Sequence, residues 1–226
     1  MNICLFSPEE NSKPLSPGDE RAVHLRKVLH KKAGETFSAG IIGGSAGLAT
    51  ISAIDDERGI SFTFSPQSDG KPLYPLIMLI GFPRPIQLKR LLRDMAGLGV
   101  AEVHLTGTEL GEKSYLQSEL ATSEAGYKML LDGTTQAAST HVPRLEVFAS
   151  LDEVLAGSIA WENASQIALD NRRAASSLHE FLTHEGAHSV VAAIGSERGW
   201  TDRERDALEK AGFTLCSMGS RVLRTE

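Results

Sequence analysis

Ile194-Gly195-Ser196-Glu197-Arg198-Gly199-Trp200 and Met218-Gly219-Ser220-Arg221-Val222-Leu223-Arg224-Thr225-Glu226 are the two stretches that decide the fold prediction. Each follows an apolar stretch that predicts a β-strand, and one short predicted helix lies between them. Glycine allows a backbone to bend sharply and to approach a ligand closely. Open α/β sheets bind their ligands in crevices at the carboxyl ends of strands. The two bends are therefore predicted to form the two walls of one pocket, although an ordinary turn is the better explanation of either bend alone.

The residues before these bends predict an α/β fold. Leu76–Ile80 is uniformly apolar, as expected of a strand that is covered on both faces. Ile86–Leu98 carries its large apolar residues on one helical face, and Thr201 with Glu204 is a capping box that opens a helix ending at Gly212. Because predicted strands and helices alternate, the sheet is expected to be mainly parallel. The other predicted elements here are strands at 103–106, 145–148, 166–169, 189–194 and 213–217 and a helix at 116–138.

The first part of the chain predicts a different architecture. Residues 1 to about 70 are rich in β-strand patterns, and the glycine run at 43–47 predicts a hairpin turn. A dinucleotide fingerprint is excluded there, because that motif needs a helix after its glycines and the residues after Gly47 continue as a strand. Residues 66–75 have the composition of a linker. We therefore predict a small β-barrel domain at 1–72 and an α/β domain at 73–226.

Composition limits the class of protein. The chain has 226 residues, of which 41% are hydrophobic and 23% charged, as in ordinary soluble globular proteins. The sequence shows no run long enough to span a membrane and no signal peptide, which predicts a cytoplasmic protein. Cys4 and Cys216 are expected to be buried free thiols, and no spacing of Cys and His predicts a metal site.

The net charge of −6 argues against general binding of naked nucleic acid, although a local basic face can still recognise one structured RNA. Two basic clusters are present, one at 21–32 and one at 84–93. Solvated surface is the commoner meaning of such clusters. The residues predicted to contact RNA are His24, Arg26, Lys27, Arg84, Lys89, Arg90 and Arg221.

The end of the chain resembles the ribosomal RNA small subunit methyltransferase E family, a branch of the SPOUT methyltransferases. The family pattern I-G-P-E-G-G-[FL]-[ST]-x-x-E corresponds to residues 194–204. The patterns A-G-F and L-G-x-R-[IV]-L-R-T-E correspond to residues 211–213 and 218–226. The match is specific over roughly the last thirty residues and looser, but in register, over most of the rest.

This resemblance implies a fold and a cofactor. The fold would be a C-terminal SPOUT α/β domain with a trefoil knot and a parallel sheet, preceded by a PUA-like β-barrel that helps to dock RNA. The cofactor would be S-adenosylmethionine, bound bent in the knot. A Rossmann methyltransferase is disfavoured because two prolines replace the glycine pattern at 81–85. The implied cofactor residues are Leu169, Ile194, Gly195, Glu197, Gly199, Ser217, Met218, Gly219, Val222 and Leu223.

The resemblance also implies a reaction, which is methylation of N3 of a uridine in 16S rRNA, within the small ribosomal subunit, by a homodimer. N3 carries a proton and is a poor nucleophile until that proton leaves. Glu197 is the candidate base, and Arg172 and Arg224 are candidates for stabilising the charge that develops on the uracil ring. For each arginine, a surface ion pair is an equally good explanation.

The chain departs from the family pattern at several positions. The arginine of the family's C-x-R-x-x-x-P pattern is absent from residues 137–143, and Ser196 and Arg198 replace Pro and Gly of P-E-G-G. Family members continue after R-T-E into a helix, so we expect either that this helix is absent or that the sequence continues beyond Glu226. Two alternatives therefore stay open. One is a divergent, catalytically weak RNA-binding protein, and the other is a SPOUT methyltransferase that acts on another RNA position.

Overall fold

The structure is a computed structural model that describes residues 1–11, 13–121, 123–157, 161, 163–185 and 189–225. The chain forms two compact units. The first contains Met1–Pro72 together with Ala96–Leu98 and Leu131–Val142, and the second contains the remaining segments, which begin at Leu73. The first unit thus takes in two short segments that lie after the predicted boundary at residue 72.

The first unit contains a four-stranded sheet in the order β1-β2-β3-β4. β1 runs parallel to β2, and the other two pairings are antiparallel. Side chains alternate along the strand at 36–41, as a half-buried sheet requires. Thr36 and Ser38 are exposed, whereas Phe37 and Ala39 are buried. Its elements are β1 Cys4–Phe6, α1 Glu20–Val23 followed by a π-helical turn His24–Val28, β2 Thr36–Ile41, β3 Ala46–Asp55 and β4 Gly59–Ser68.

The glycine run after β2 forms the predicted hairpin, with Gly40 paired to Ala46 and β3 continuing directly as a strand. This strand excludes a nucleotide-binding helix at the glycines. The core of the unit includes a stack of Phe6 on Phe62, whose ring centroids are 4.7 Å apart. The described pairings give a sheet, and its closure into a barrel stays a prediction.

The second unit is an α/β structure with a seven-stranded sheet in the order β7-β6-β5-β10-β8-β11-β9. Every pairing between its strands is parallel, as the alternation of strands and helices predicted. Its strands are β5 Tyr74–Gly81, β6 Val100–Thr106, β7 Arg144–Phe148, β8 Ser165–Leu169, β9 Ser176–Ser177, β10 Val190–Ile194 and β11 Thr214–Ser217. Its helices are α2 Pro85–Leu98 and α3 Ser123–Gln136, whose last residues belong to the first unit, together with α4 Leu151–Ala156, α5 Leu178–Glu185 and α6 Asp202–Lys210.

The prediction of one helix over residues 116–138 is wrong at its start. Two 3-10 turns, Lys113–Gln117 and Glu119–Ala121, precede α3, and Ser118 between them has an extended backbone. Serine favours caps and turns because its hydroxyl competes for backbone hydrogen bonds. The prediction at Thr122 lies outside the described residues.

One face of the large sheet has a dense core. Leu79, Val191 and Leu215 of the strands pack there with Trp161 and Trp200. Among the described helices, none combines the length and the apolar character that a membrane span requires.

Candidate functional site

The carboxyl ends of three strands lie side by side in the large sheet. Ile194 of β10 is opposite Leu169 of β8, which is opposite Cys216 of β11. The two glycine-containing bends therefore do not follow directly adjacent strands, because β8 lies between β10 and β11. Adjacent strands are about 4.8 Å apart, so the two bends start roughly 10 Å from each other. The end of β8 therefore lies between the starts of the two bends.

The first bend, residues 195–200, is closely tied to the sheet. Gly195 and Ser196 are buried, and the N–H of Gly199 donates to the carbonyl of Ser196 at 2.8 Å. Trp200 is only 2% exposed, and its indole N–H donates to the carbonyl of Leu169 at 3.2 Å. This bend is thus anchored both in the core and on the strand that separates it from the second bend.

The second bend, residues 218–225, is an open apolar surface. Met218, Val222 and Leu223 are 57%, 81% and 58% exposed. Gly219 has a φ of +107°, which disfavours any other residue, and the space where a Cβ would lie is empty to 4 Å. Thr225 returns to the first bend, where its hydroxyl donates to the carbonyl of Gly195 at 3.1 Å. The second bend therefore crosses the end of β8 and presents apolar side chains that the described residues leave largely uncovered.

A buried ion pair holds the loop that follows β8. Asp170 accepts hydrogen bonds at 3.0 Å from two nitrogens of Arg205 on α6, and both side chains are almost fully buried. Asp170 also accepts from the backbone N–H groups of Arg172 and Arg173 at 3.1 and 2.6 Å. Burial alone raises the pKa of the Asp170 carboxyl, but the hydrogen bonds from Arg205 and from these N–H groups outweigh it, and the pKa is lowered.

Asp170 and Arg205 are not among the residues that the sequence predicted for this site. An aspartate directly after a strand is a turn signal, so the role of Asp170 in its own loop was detectable. Its buried partner was not, because Arg205 lies in an ordinary charged helix 35 residues away.

The structure brings together two predicted residues that had been given different roles. Glu197, the candidate base, forms an ion pair with Arg84, a candidate RNA contact, with 3.1 Å between Oε2 and Nε. Arg84 lies in the turn between β5 and α2, next to the first bend. Arg84 can therefore orient the carboxylate that the sequence singled out.

The other predicted arginines and lysines of the second unit are exposed. Lys89 and Arg90 lie on α2, which also exposes Ile86. Arg172 lies in the loop after β8, and Arg221 and Arg224 lie in the second bend. Arg172, Arg221 and Arg224 thus lie at or near the carboxyl edge of the sheet, whereas Lys89 and Arg90 lie on α2.

In the first unit the basic cluster is partly neutralised. Arg21 is bound by Asp19 and Glu10 and lies over the ring of Phe6, and Arg26 pairs with Asp56. Lys27 is exposed, and Nε2 of His24 is buried without a hydrogen-bond partner. The cations available for a phosphate are therefore fewer than the sequence suggests.

Metal binding finds no support in the geometry, since no group of three or more His, Cys, Asp or Glu in the described part of the chain is arranged to hold an ion. Cys4 and Cys216 are buried and free, and burial raises the pKa of the Cys4 thiol to about 12. Neither thiol is therefore placed for chemistry at this edge.

Comparison with known proteins gives consistent results. The RNA methyltransferase domain family matches residues 70–226. Ribosomal RNA small subunit methyltransferase E of Treponema pallidum (strain Nichols) is 40% identical over 232 residues, which cover 100% of this chain and 86% of that protein. Ribosomal RNA small subunit methyltransferase E 1 of Borreliella burgdorferi is 31% identical over 226 residues, covering 100% and 93%.

A solved structure shares the fold. The crystal structure of ribosomal RNA small subunit methyltransferase E from Neisseria gonorrhoeae, bound to S-adenosyl methionine, superposes with a TM-score of 0.77 at 19% identity, covering 100% of this chain and 92% of that one. At this identity the likeness establishes the α/β architecture with its parallel sheet.

Proposed function

This chain belongs to the ribosomal RNA small subunit methyltransferase E family, and we propose that it transfers a methyl group from S-adenosylmethionine to N3 of a uridine in 16S rRNA. The observation that carries the proposal is the 40% identity over the whole chain, combined with two bends that flank the end of β8 in the second unit. The finer elements of the fold, a trefoil knot in the second unit and a PUA-like barrel in the first, belong to the same proposal.

The region between the bends has the properties that the cofactor requires. An adenosine needs apolar contacts for its ring and backbone groups for its edge, and small-ligand sites are mostly apolar with a few fixed polar groups. The first bend supplies buried backbone, and the open space at Gly219 lets a ligand approach the second bend. The residues proposed to hold the cofactor are Leu169, Ile194, Gly195, Glu197, Gly199, Ser217, Met218, Gly219, Val222 and Leu223.

S-adenosylmethionine, when bound, supplies an electrophilic methyl group. The chain must then orient the uracil ring and remove the N3 proton. We assign proton removal to the carboxylate of Glu197, which Arg84 holds in place at 3.1 Å. Arg172 and Arg224 would stabilise the negative charge that develops on the ring, as guanidinium groups do for developing oxyanions.

The assignment of Glu197 is tested by single-turnover methylation with Glu197→Gln, which keeps the size of the side chain and removes its basicity. Loss of a general base typically lowers the rate by about 10²–10⁴-fold. Glu209→Gln on the surface of α6 is the matched control and is expected to react at the rate of the unchanged protein. An unchanged rate in Glu197→Gln would remove Glu197 from the role of base.

RNA recognition is assigned to cations on both units. In the second unit the exposed stripe of α2 carries Lys89 and Arg90 beside Arg84, and Arg221 lies in the second bend. In the first unit His24, Arg26 and Lys27 would contribute, with Arg26 exchanging its pairing with Asp56 for a phosphate. We propose that the protein works in the cytoplasm.

We also propose a homodimer. One face of the large sheet includes Leu76, Met78 and Val190, which are only partly buried, and Leu182 of α5 on that unit is exposed. Incompletely covered apolar surface is typical of interaction sites. Sedimentation equilibrium of the protein should give twice the mass of the chain, and a monomer at micromolar concentration would contradict this part of the proposal.

The reaction is tested by mass spectrometry of small-subunit rRNA nucleosides from cells with and without this gene. N3-methyluridine should disappear when the gene is deleted and return when it is restored. A different methylated nucleoside that responds to the gene would favour a methyltransferase acting on another RNA position.

A second candidate is an RNA-binding protein with little catalytic activity. It is favoured by residues 137–143, where the resemblance leads one to expect an arginine and the chain instead has Ser139, whose hydroxyl accepts a hydrogen bond from the N–H of His141 at 3.3 Å. Calorimetry with S-adenosylmethionine separates the two functions, because a binding module without catalysis should take up no cofactor.

A further inference from the structure

A second concave site lies at the carboxyl edge of the large sheet, away from the two bends. It is a cavity of about 410 Å³, formed where β5, β6 and β7 end and where α4 and α6 begin. A volume of this order suffices for a small organic ligand. None of the residues assigned to the cofactor lines it. The residues that do, and that the argument uses, are Phe82, Thr108, Lys113, Leu116, Arg203 and Glu204.

A single glycine separates this cavity from the first bend. A Cβ built on Gly81, the last residue of β5, would lie 2.4 Å from the backbone nitrogen of Ser196 and 2.9 Å from Cγ2 of Thr108. Any side chain at Gly81 would therefore collide with the first bend on one side and with a cavity residue on the other. Because β5 pairs directly with β10, the cavity and the proposed cofactor region are neighbours along the edge of one sheet.

The polar groups around Gly81 are not all satisfied. Oγ1 of Thr108 and Oγ of Ser196, the residues on the two sides of Gly81, are buried and find no hydrogen-bond partner among the described residues. Buried polar atoms are nearly always hydrogen-bonded in native proteins. Two such atoms beside one strand end indicate that a polar ligand or water completes this region.

The charged groups of the cavity wall are mostly fixed by one another. Glu204 accepts from the N–H groups of Glu109 and Thr201 at 2.8 Å each, and Arg203 bridges Glu109 and Asp152. The wall is thus a rigid polar frame around the apolar side chains of Phe82 and Leu116, with Lys113 exposed beside it. A flat, neutral ring with polar edges fits such a frame better than a phosphate does, since the carboxylates of Glu109, Glu112 and Glu204 line it.

We propose that this cavity receives the pyrimidine base of the RNA substrate, turned out of its stack so that its ring lies beside the first bend across Gly81. This inference rests on the proposed function and names where its acceptor binds. Enzymes that modify a base commonly take it out of the stack into a pocket, where an aromatic or apolar side chain packs on the ring. Leu116, which is half-buried in the cavity wall, is the apolar residue placed to do so, and Lys113 is placed to meet the attached phosphate.

The experiment fills the cavity with Leu116→Trp and compares it with Leu98→Trp, the same substitution at the exposed last residue of α2. Three quantities are measured for each variant: the affinity for S-adenosylmethionine by calorimetry, the single-turnover rate of RNA methylation, and the far-ultraviolet circular dichroism. Leu116→Trp should lower methylation at least 50-fold and leave cofactor affinity within twofold, whereas Leu98→Trp should change neither.

Uridine 5′-monophosphate serves as a direct probe. In the presence of saturating S-adenosylhomocysteine it should shift the amide NMR signals of Gly107 and Gly111, which line the cavity, in the unchanged protein and not in Leu116→Trp. Binding of uridine 5′-monophosphate also tests the proposal if Leu116→Trp fails to fold. Thr108→Val then replaces Leu116→Trp, with Thr183→Val on α5 as its control. Thr108→Val should weaken the affinity for uridine 5′-monophosphate about tenfold, as expected for loss of one buried hydrogen bond.

The outcomes separate the two proposals. If the unchanged protein binds cofactor and methylates RNA while Leu116→Trp does so at the same rate, the cavity is not the acceptor site and the methyltransferase function stands. If Leu116→Trp loses cofactor affinity, the cavity serves the cofactor and the inference is overturned. If the unchanged protein takes up no cofactor, the proposed function itself fails.

Discussion

The two bends that flank β8 are built in opposite ways. The first, residues 195–200, has buried backbone, an internal hydrogen bond and Trp200 inserted in the core. The second, residues 218–225, is mostly exposed, and its apolar side chains Met218, Val222 and Leu223 face outward. Both carry glycines with positive φ, so backbone conformation does not distinguish them.

The difference indicates that the two bends contribute differently to a ligand site, the first through fixed backbone geometry and the second through exposed apolar surface. The first bend takes its shape from the core, so its geometry is set before any ligand arrives. The second bend has apolar surface that gains most from being covered, and burial of such surface contributes about 25 cal/mol per Å². We expect changes in the first bend to act mainly on folding, and changes in the second to act mainly on binding.

Trp200→Ala should have the largest effect on folding. It removes a fully buried aromatic side chain from the core and also the hydrogen bond to Leu169. Truncation of this kind costs about 3–5 kcal/mol. Urea denaturation followed by circular dichroism measures the loss.

Trp200→Phe is the control for this change, because it keeps most of the packing and loses the indole N–H. A loss of about 1 kcal/mol is expected from the missing hydrogen bond. Equal losses in the two variants would mean that the hydrogen bond, and not the core packing, anchors the first bend.

Asp170→Asn should have the second-largest effect on the free energy of unfolding, because it leaves the buried guanidinium of Arg205 without its main counter-charge. Removing one partner of a buried ion pair costs about 3–5 kcal/mol, and the lower end is expected because Asn keeps an acceptor oxygen. Asp206→Asn is the matched control, since it removes an exposed partner of Arg173 and should cost less than about 1 kcal/mol.

The same pair predicts a dependence on pH. The pKa of Asp170 is lowered in the folded protein, so its contribution to stability is present above the unfolded pKa of about 3.9 and is lost as the pH falls through the folded value. Urea denaturation between about pH 5 and about pH 2 should therefore show a shallower acid decline in Asp170→Asn than in the unchanged protein. An identical acid decline would show that the ion pair does not set it.

Gly219→Ala tests the second bend. Its φ of +107° is unfavourable for alanine, and strain of this kind costs about 1–3 kcal/mol where the surroundings hold the conformation. Because the surrounding space is open, the bend can shift, and we expect a loss in unfolding free energy of at most about 1 kcal/mol with a fall in cofactor affinity of several-fold. Gly97→Ala, on α2 with equally open space and an ordinary φ, should cost nothing. An unchanged affinity in Gly219→Ala would place the cofactor elsewhere.

The sequence predicted those features of this site that depend on local pattern. Uniformly apolar strands that alternate with helices predicted the parallel sheet, and the two glycine-containing bends were placed at its carboxyl edge. The capping box of Thr201 and Glu204 was likewise visible, because it depends on residues three apart.

The sequence could not predict what depends on the order of strands. That β8 lies between β10 and β11 follows from tertiary packing, and so do the bond from Trp200 to Leu169 and the pairing of Arg84 with Glu197. For the same reason the cavity was missed, since its walls come from four separate stretches of the chain. The prediction of a helix from residue 116 was wrong because it followed the apolar periodicity of that stretch. In the structure the turn preference of Ser118 prevails, and the backbone there is extended.

Val222→Ser should have the smallest effect on folding and a clear effect on binding. Val222 is 81% exposed, and surface substitutions of this kind change the free energy of unfolding by less than about 0.5 kcal/mol. If Val222 is covered by the cofactor, loss of its burial removes about 1.5 kcal/mol, which is roughly a tenfold weaker affinity. Val28→Ser in the first unit, where the valine is 59% exposed, is the matched control and should change neither quantity. Calorimetry with S-adenosylmethionine and urea denaturation on both variants give the comparison. Equal cofactor affinity in the two variants would mean that the second bend is not a wall of the site. The first bend would then still stabilise the fold, but the second bend would no longer differ from it by binding the cofactor.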